Sequence, residues 1–178
     1  MVWHRLVLGL ALVLLMTGAA GARPPVLPSL VFEDQEERKL DLDGLRGHTV
    51  VVVYGGRAGV EHHVTWGKRL DASLRTRGVY RAEDPPSSRP VEILAVAQMG
   101  NPPKPLRGMV RALLRQKVET GYSLWLDWDG ELSRLFGDHD PASTVVVADR
   151  DGSVQLVVAG LPDGQPWEQV TAVLARLH

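Results

Sequence analysis

The sequence predicts an α/β domain built as a three-layer α/β/α sandwich, with a mixed central sheet and helices on both faces. Three observations predict it. First, His48-Thr49-Val50-Val51-Val52-Val53-Tyr54 and Val91-Glu92-Ile93-Leu94-Ala95-Val96-Ala97 are apolar along most of their length. Strands buried on both faces read this way. Second, each run is followed by a stretch of helical spacing, the order that parallel strands with crossover helices require. Third, two β-branched runs, Thr144–Ala148 and Val154–Val158, flank Asp149-Arg150-Asp151-Gly152. An aspartate–glycine turn between such runs marks an antiparallel hairpin. Crossovers and a hairpin sharing one sheet make that sheet mixed.

The elements follow in order. Leu30-Val31-Phe32 is a short first strand after a proline-rich start, and Lys39 to Gly47 alternates before turning on glycine. The central strand ends at Gly55-Gly56-Arg57-Ala58-Gly59. Val60, Val64, Leu70 and Leu74 then recur near helical spacing, and Arg77-Gly78 stops the helix. Arg81 to Pro90, with three prolines, is an exposed loop. After the Val91 strand and the stiff Asn101-Pro102-Pro103-Lys104-Pro105 connector, Leu106, Val110, Leu113, Leu114 and Val118 make one face of a helix ending by Gly121. Ser123–Leu126 is a short strand, Glu131–Phe136 a short helix stopped by Gly137, and Trp167, Val170, Val173, Leu174 and Leu177 mark a closing amphipathic helix.

The start of the chain carries an address. Met1-Val2-Trp3-His4-Arg5 is a short basic region, Leu6 to Met16 an unbroken apolar run, and Ala20-Gly21-Ala22 a small-residue cleavage site before Arg23-Pro24-Pro25. This predicts a secretory signal peptide over residues 1–22 and a domain over 23–178. The apolar run is short of the roughly 20 residues a membrane-spanning helix needs. The expected protein is therefore periplasmic or secreted and meets the membrane only through its signal. Of the 20 lysines and arginines, only Arg5 leaves with the signal, so 19 bases face 21 acids, a net charge of −2. Such a chain has no basic footprint for nucleic acid.

There is no cysteine among the 178 residues. Disulfides are excluded, and so is chemistry that needs a sulfur nucleophile: thiol–disulfide exchange and thiol peroxidase activity. A lipoprotein anchor is excluded on the same ground.

Three stretches carry a family resemblance. They are Leu40-Asp41-Leu42-Asp43-Gly44-Leu45-Arg46-Gly47 before a valine strand, Trp125-Leu126-Asp127-Trp128-Asp129-Gly130-Glu131-Leu132 with Phe136-Gly137, and Val145-Val146-Val147-Ala148-Asp149-Arg150-Asp151-Gly152. In this order and spacing they resemble the thioredoxin-like superfamily, in its redoxin branch of TlpA-type oxidoreductases and peroxiredoxin-like proteins. The resemblance runs from about Pro28 to His178. Within it, Gly56-Arg57-Ala58 and Ser143 through Gln155 are similar to the YtfJ family, periplasmic thioredoxin-like proteins without a reactive cysteine pair. The superfamily resemblance implies a Cys-x-x-Cys pair just after the central strand; here that stretch reads Gly59-Val60-Glu61-His62. It also implies a cis-proline before the late strand, where Ala142 or Ser143 stands and Pro141 falls early.

Candidate sites weigh against plainer readings. His62 and His63 beside Glu61 could ligate a metal if Asp138, His139 or Asp140 approached. Adjacent histidines on a helix diverge by about 100°, and the plainer reading is a solvated polar turn. The Gly55–Gly59 turn could cradle an anion, with Arg57 adding charge. It lacks the spacing of either nucleotide-binding glycine motif, and a tight strand-to-helix turn is the plainer account. The aspartates of Asp127–Gly130 and Asp149–Gly152 belong to turns. Trp125 and Trp128 are expected on opposite faces; an exposed one would mark a partner surface, and core or snug edge packing is the plainer account. Ser73 and Ser143 have no histidine–aspartate partners in order, so no hydrolase is read.

The sequence thus points to an exported thioredoxin-like pseudoenzyme that binds a protein partner or small ligand in the cell envelope. The expected site is the Gly55–His63 turn with the loop around His139 to Thr144, and Arg57, Gly59, His62, His63 and Ser143 are the expected contacts. No catalytic residue, metal ligand or cofactor is assigned. The alternative is a cysteine-independent enzyme, metal- or histidine-assisted; a thiol oxidoreductase label would follow from homology alone.

Overall fold

The computed structural model describes residues 25–85, 88–118, 123–139 and 142–178. The expected signal peptide lies outside the described residues, as do Gly121, Asp140 and Pro141. Among the described residues, no helix is long and apolar enough to cross a membrane.

Seven described strands form one sheet: β1 (Val31–Asp34), β2 (Lys39–Asp41), β3 (Thr49–Gly56), β4 (Val91–Gln98), β5 (Leu124–Asp127), β6 (Ser143–Ala148) and β7 (Val154–Gly160). Their spatial order is β2-β1-β5-β4-β3-β6-β7. β3, β4 and β5 run parallel. β1 joins β5, β2 joins β1, β6 joins β3 and β7 joins β6, all antiparallel. The sheet is mixed, as the sequence predicts. Four helices complete the described fold: α1 (Val60–Thr76), α2 (Lys104–Lys117), α3 (Glu131–Phe136) and α4 (Gly164–Leu177).

The valines of β3 explain why it is central. Val50, Val52 and Tyr54 face one layer, with Phe32, Leu42, Leu94, Val96, Leu132 and Val146. Val51 and Val53 face the other, with Trp66, Leu70 and Leu74 of α1 and Val170, Val173 and Leu174 of α4. Each buried valine of β3 contributes roughly 1.5–3 kcal/mol relative to an exposed position. With no solvated face, the run cannot alternate, which is why it reads as continuous valine.

Two helix faces differ from the sequence reading. On α1 the predicted stripe holds at Leu70 and Leu74 but not at its start: the buried residues are His63, Trp66, Gly67, Leu70 and Leu74, while Val60 and Val64 are half-buried. The i, i+3, i+4, i+7 series begins at a histidine, which an apolar-only search passes over. On α2, Val110, Leu114 and Val118 pack on the sheet, as predicted. Leu106 and Leu113, placed on the same face by the sequence, are exposed. A β-carbon on Gly108, inside α2, would meet nothing within 4 Å. Gly108→Ala is therefore expected to raise stability by about 0.5–1 kcal/mol, read as the urea midpoint.

Both carboxylate-rich turns are structural. Asp127 is 2 % exposed and accepts the backbone N–H groups of Gly130, Glu131 and Leu132 at 2.8, 3.1 and 3.0 Å. It holds the start of α3. Asp127→Ala should cost about 1–2 kcal/mol, the usual loss for a helix cap, in thermal or urea unfolding. Asp149 accepts from the N–H groups of Asp151 and Ser153 in the β6–β7 turn. The tryptophans part as expected, Trp125 packing against one layer and Trp128 against the other. Neither is an exposed marker, since Trp125 is half-buried and Trp128 buried.

Candidate functional site at the carboxyl end of β3

The central strand carries its valines to Tyr54 and ends in two glycines. A 3-10 turn, Arg57–Gly59, then leads into α1. The first turn of α1 thus stands over the carboxyl end of β3, where open α/β sheets place their sites. Gly59 is the N-cap and supplies no side-chain hydrogen bond. The backbone N–H groups of that turn have no side-chain cap of their own.

The expected site residues divide by depth. Arg57 is exposed, and among the described residues it makes no hydrogen bond or ion pair. Gly59 is buried beneath it. His62 is half-buried, and its Nδ1 is buried without a hydrogen-bond partner. His63 is fully buried, against the expectation of a solvated turn, and neither ring nitrogen has a partner. Burial, and secondarily its neighbour His62, lowers the His63 pKa from 6.5 to about 4. The imidazole is neutral at ordinary pH because charging it here would forfeit hydration without any compensating hydrogen bond.

Gly55 is what admits His63. A β-carbon on Gly55 would lie 2.6 Å from His63 Nε2, 3.3 Å from Cε1 and 3.4 Å from the Ala142 carbonyl oxygen. The ring therefore rests directly on the backbone of β3. Ser143 opens β6 on the same face, since Val145 and Val147 two and four residues on belong to the α1 layer. Its Oγ is buried and has no partner. The β3–β6 register, ending at Tyr54 opposite Thr144, carries Gly55 opposite Ser143 one step further. His63 and Ser143 thus lie on the same face of the sheet, each with polar atoms buried without a partner.

The loop residues belong to the other face. Tyr54 donates to the Gly137 carbonyl at 2.7 Å, and His139 Nδ1 lies 3.0 Å from Thr144 Oγ1. Burial raises the Tyr54 pKa to about 12, so its phenol remains a donor. This network fixes the loop before β6, but it turns His139 away from His63. Among the described residues, no group of three histidines, cysteines, aspartates or glutamates is placed to hold a metal ion. The seat at Gly55 and the Tyr54–Thr144–His139 network are the two features the sequence reading missed. A glycine closing a valine strand, with a histidine in phase with Trp66 and Leu70, is the signal for the first.

No protein-family model matches the sequence, and no curated protein matches it. Solved structures do match. One is assigned as a DsbE-type thiol:disulfide interchange protein from Chlorobium tepidum, 19 % identical, covering 88 % of this chain and 99 % of its own, with TM-score 0.58. Another is the exposed lipoprotein thioredoxin Etrx1 of Streptococcus pneumoniae, 11 % identical, covering 82 % and 99 %, with TM-score 0.56. A third is the thioredoxin domain of a thiol-disulfide oxidoreductase from Bacteroides vulgatus, 12 % identical, covering 88 % and 99 %, with TM-score 0.54. At these identities the likeness shows the fold: the chain is thioredoxin-like. It has no cysteine with which to share those proteins' named chemistry.

Proposed function

We propose that this thioredoxin-fold chain is an exported, non-redox binding module. In this reading it takes an anionic group of a protein partner, or of a small ligand, at Arg57 and the first turn of α1. The observation that carries the reading is the free guanidinium. Arg57 is exposed and unengaged among the described residues, and it stands beside a helix start with no side-chain cap. Exposed Arg38, Arg75 and Arg134 are held by aspartate or glutamate; the side chains of Arg81, Arg150 and Arg176 are unengaged like Arg57, but none of them stands at the start of a helix. A helix N-terminus favours negative charge, and a guanidinium recognises carboxylate or phosphate with paired donors. His62 would add a polar contact at the rim, while Gly59, His63 and Ser143 set the floor. Export, cleavage near Ala22 and kinship with the cysteine-less YtfJ family belong to the same proposal.

The test is a crosslinked pull-down of the signal-processed protein from its native envelope, run beside an Arg57→Ala/His62→Ala variant. A partner captured by the wild type and lost in the variant supports the reading. Equal capture by both would remove the site from it. In parallel, disulfide-reductase and peroxidase assays should stay at background, since no residue can supply the sulfur; turnover above background would contradict the non-redox assignment.

A further inference from the structure

A cavity lies at the end of the sheet remote from the Arg57 turn. β3 and β4 run parallel, with Thr49 beside Val91 and Gly56 beside Gln98. The start of β4 is therefore far from Gly56. There a cavity of about 270 Å³ opens between α1, the start of β4 and the segment before it. Gly67, Val91 and Ile93 give it an apolar wall, and Lys68, Asp71, Tyr80 and Arg89 give it polar side chains. Glu92 lines it as well, but strand alternation sends that side chain to the other face. Val91 and Ile93 belong to the α1 layer, whereas Leu94 belongs to the opposite one. The volume sits just below the roughly 300–1,000 Å³ usual for small-molecule sites.

The charges around this cavity do not balance. Both oxygens of Asp71 are taken: Tyr80 donates to Oδ1 at 2.8 Å and Arg75 to Oδ2. Arg89 has no such partner. Among the described residues three arginines are half-buried, Arg89, Arg107 and Arg111. Arg107 pairs with Asp129, and Arg111 with Glu33 and Glu37. Arg89 makes no ion pair among the described residues. Its Nε donates to the Asp84 carbonyl at 3.2 Å and its Nη2 to the Ala82 carbonyl at 3.4 Å. Its guanidinium carbon lies 5.0 Å from the centre of the Tyr80 ring. Glu92 feels its charge only from beyond ion-pair distance. These contacts fix the guanidinium without neutralising it, and a cation drawn partly out of water favours an anionic partner. Lys68 brings a second positive charge to the same cavity.

We propose that this cavity binds a small organic carboxylate, with the charged end on Arg89 and Lys68 and the apolar body against Val91 and Ile93. Nη1 of Arg89 and the Lys68 ammonium offer donors to the two oxygens of a carboxylate. The apolar wall selects against a bare inorganic anion, which has nothing to lay on it. Gly67 and Asp71 stand about two to three turns along α1 from Val60, so this site is separate from the Arg57 turn and does not depend on it.

Benzoate is the probe, titrated at constant ionic strength to about 50 mM, because a ligand this small binds at millimolar levels. In two-dimensional NMR of the signal-processed protein, amide shifts should move saturably around Gly67, Tyr80 and Ile93. Benzamide has the shape without the charge, and inorganic phosphate the charge without the body. Each should bind at least about tenfold more weakly than benzoate. Arg89→Met, with its fold checked by circular dichroism, should weaken benzoate about tenfold. Lys68→Gln, at an exposed position on α1, should weaken it about two- to fivefold. Arg57→Ala should leave the affinity unchanged. The absence of saturable shifts, or shifts centred on the first turn of α1, would overturn the proposal. So would benzamide or phosphate binding as tightly as benzoate, or a benzoate affinity indifferent to Arg89→Met or to Lys68→Gln.

Discussion

Gly55→Ala is expected to destabilise the protein by about 3 kcal/mol, the upper part of the range for overpacking a core. The added methyl would sit 2.6 Å from His63 Nε2, closer than carbon and nitrogen can approach. The ring has nowhere to move, because His63 is fully buried on the same helix face as Trp66 and Leu70. Something must shift, and the candidates are the first turn of α1 or the start of β6 at Ala142. His63→Ala opens the space and removes two unsatisfied nitrogens at once. It should therefore cost less than an ordinary large-to-small core substitution. In the double variant the methyl added to the strand occupies room the imidazole has left. The double should be more stable than the sum of the singles predicts, by at least about 1 kcal/mol, the size of coupling seen between residues in contact. Urea midpoints of the four proteins close the cycle. Additivity would mean that glycine is present at position 55 for another reason and that His63 does not rest on the strand.

How far the sequence carried follows from what each residue reports. Strands buried on both faces announce themselves, and β3, β4 and the β6–β7 hairpin stand where their β-branched runs place them. The short α3, bounded by Gly130 and Gly137, falls where its breakers put it. Amphipathic faces were harder. On α1 the inward series starts at His63, a residue that hydropathy scores as polar, so Leu70 and Leu74 are placed correctly while Val60 and Val64 misplace the start of the stripe. On α2 both faces hold apolar residues, because arginines held by the acidic β1–β2 segment take inward positions that leucines usually fill. No local pattern shows that Glu33 and Glu36, some 80 residues earlier, meet that helix. The candidate site was located by the strand-to-helix turn, but its depth was not. Sequence order put Arg57, His62 and His63 together as polar contacts. Only packing separates the free guanidinium from the buried ring, and sends His139 and Thr144 to the opposite face of the sheet.

Acid should weaken the fold through His63. Its folded pKa is about 4, against about 6.5 for a histidine in the unfolded chain. The unfolded state therefore binds a proton at higher pH than the folded state does. Above about pH 6.5 both states are neutral and this contribution to stability is complete. As the pH falls below that value only the unfolded chain takes the proton, so stability declines, by about 2 kcal/mol at pH 5 and about 3 kcal/mol near pH 4. Below pH 4 the folded imidazole charges as well and the loss from this group levels off. The upper part of the window, between about pH 6.5 and 5, lies above the range where ordinary carboxylates titrate, although burial raises the pKa of Glu92, which acts in the opposite direction. His178, whose pKa burial also lowers, acts in the same direction as His63. The comparison that assigns the slope is therefore His63→Leu, which fills the same space without a titrating group. Urea unfolding of wild type and variant at pH 7, 6, 5 and 4.5 should show the wild type losing more stability, by about 2 kcal/mol between pH 7 and 5. Parallel curves would place the acid sensitivity elsewhere. Because His63 lies under the first turn of α1, the same protonation would strain the turn that presents Arg57 and His62. Capture of a ligand at that turn should then weaken across the same pH window in the wild type and hold in His63→Leu.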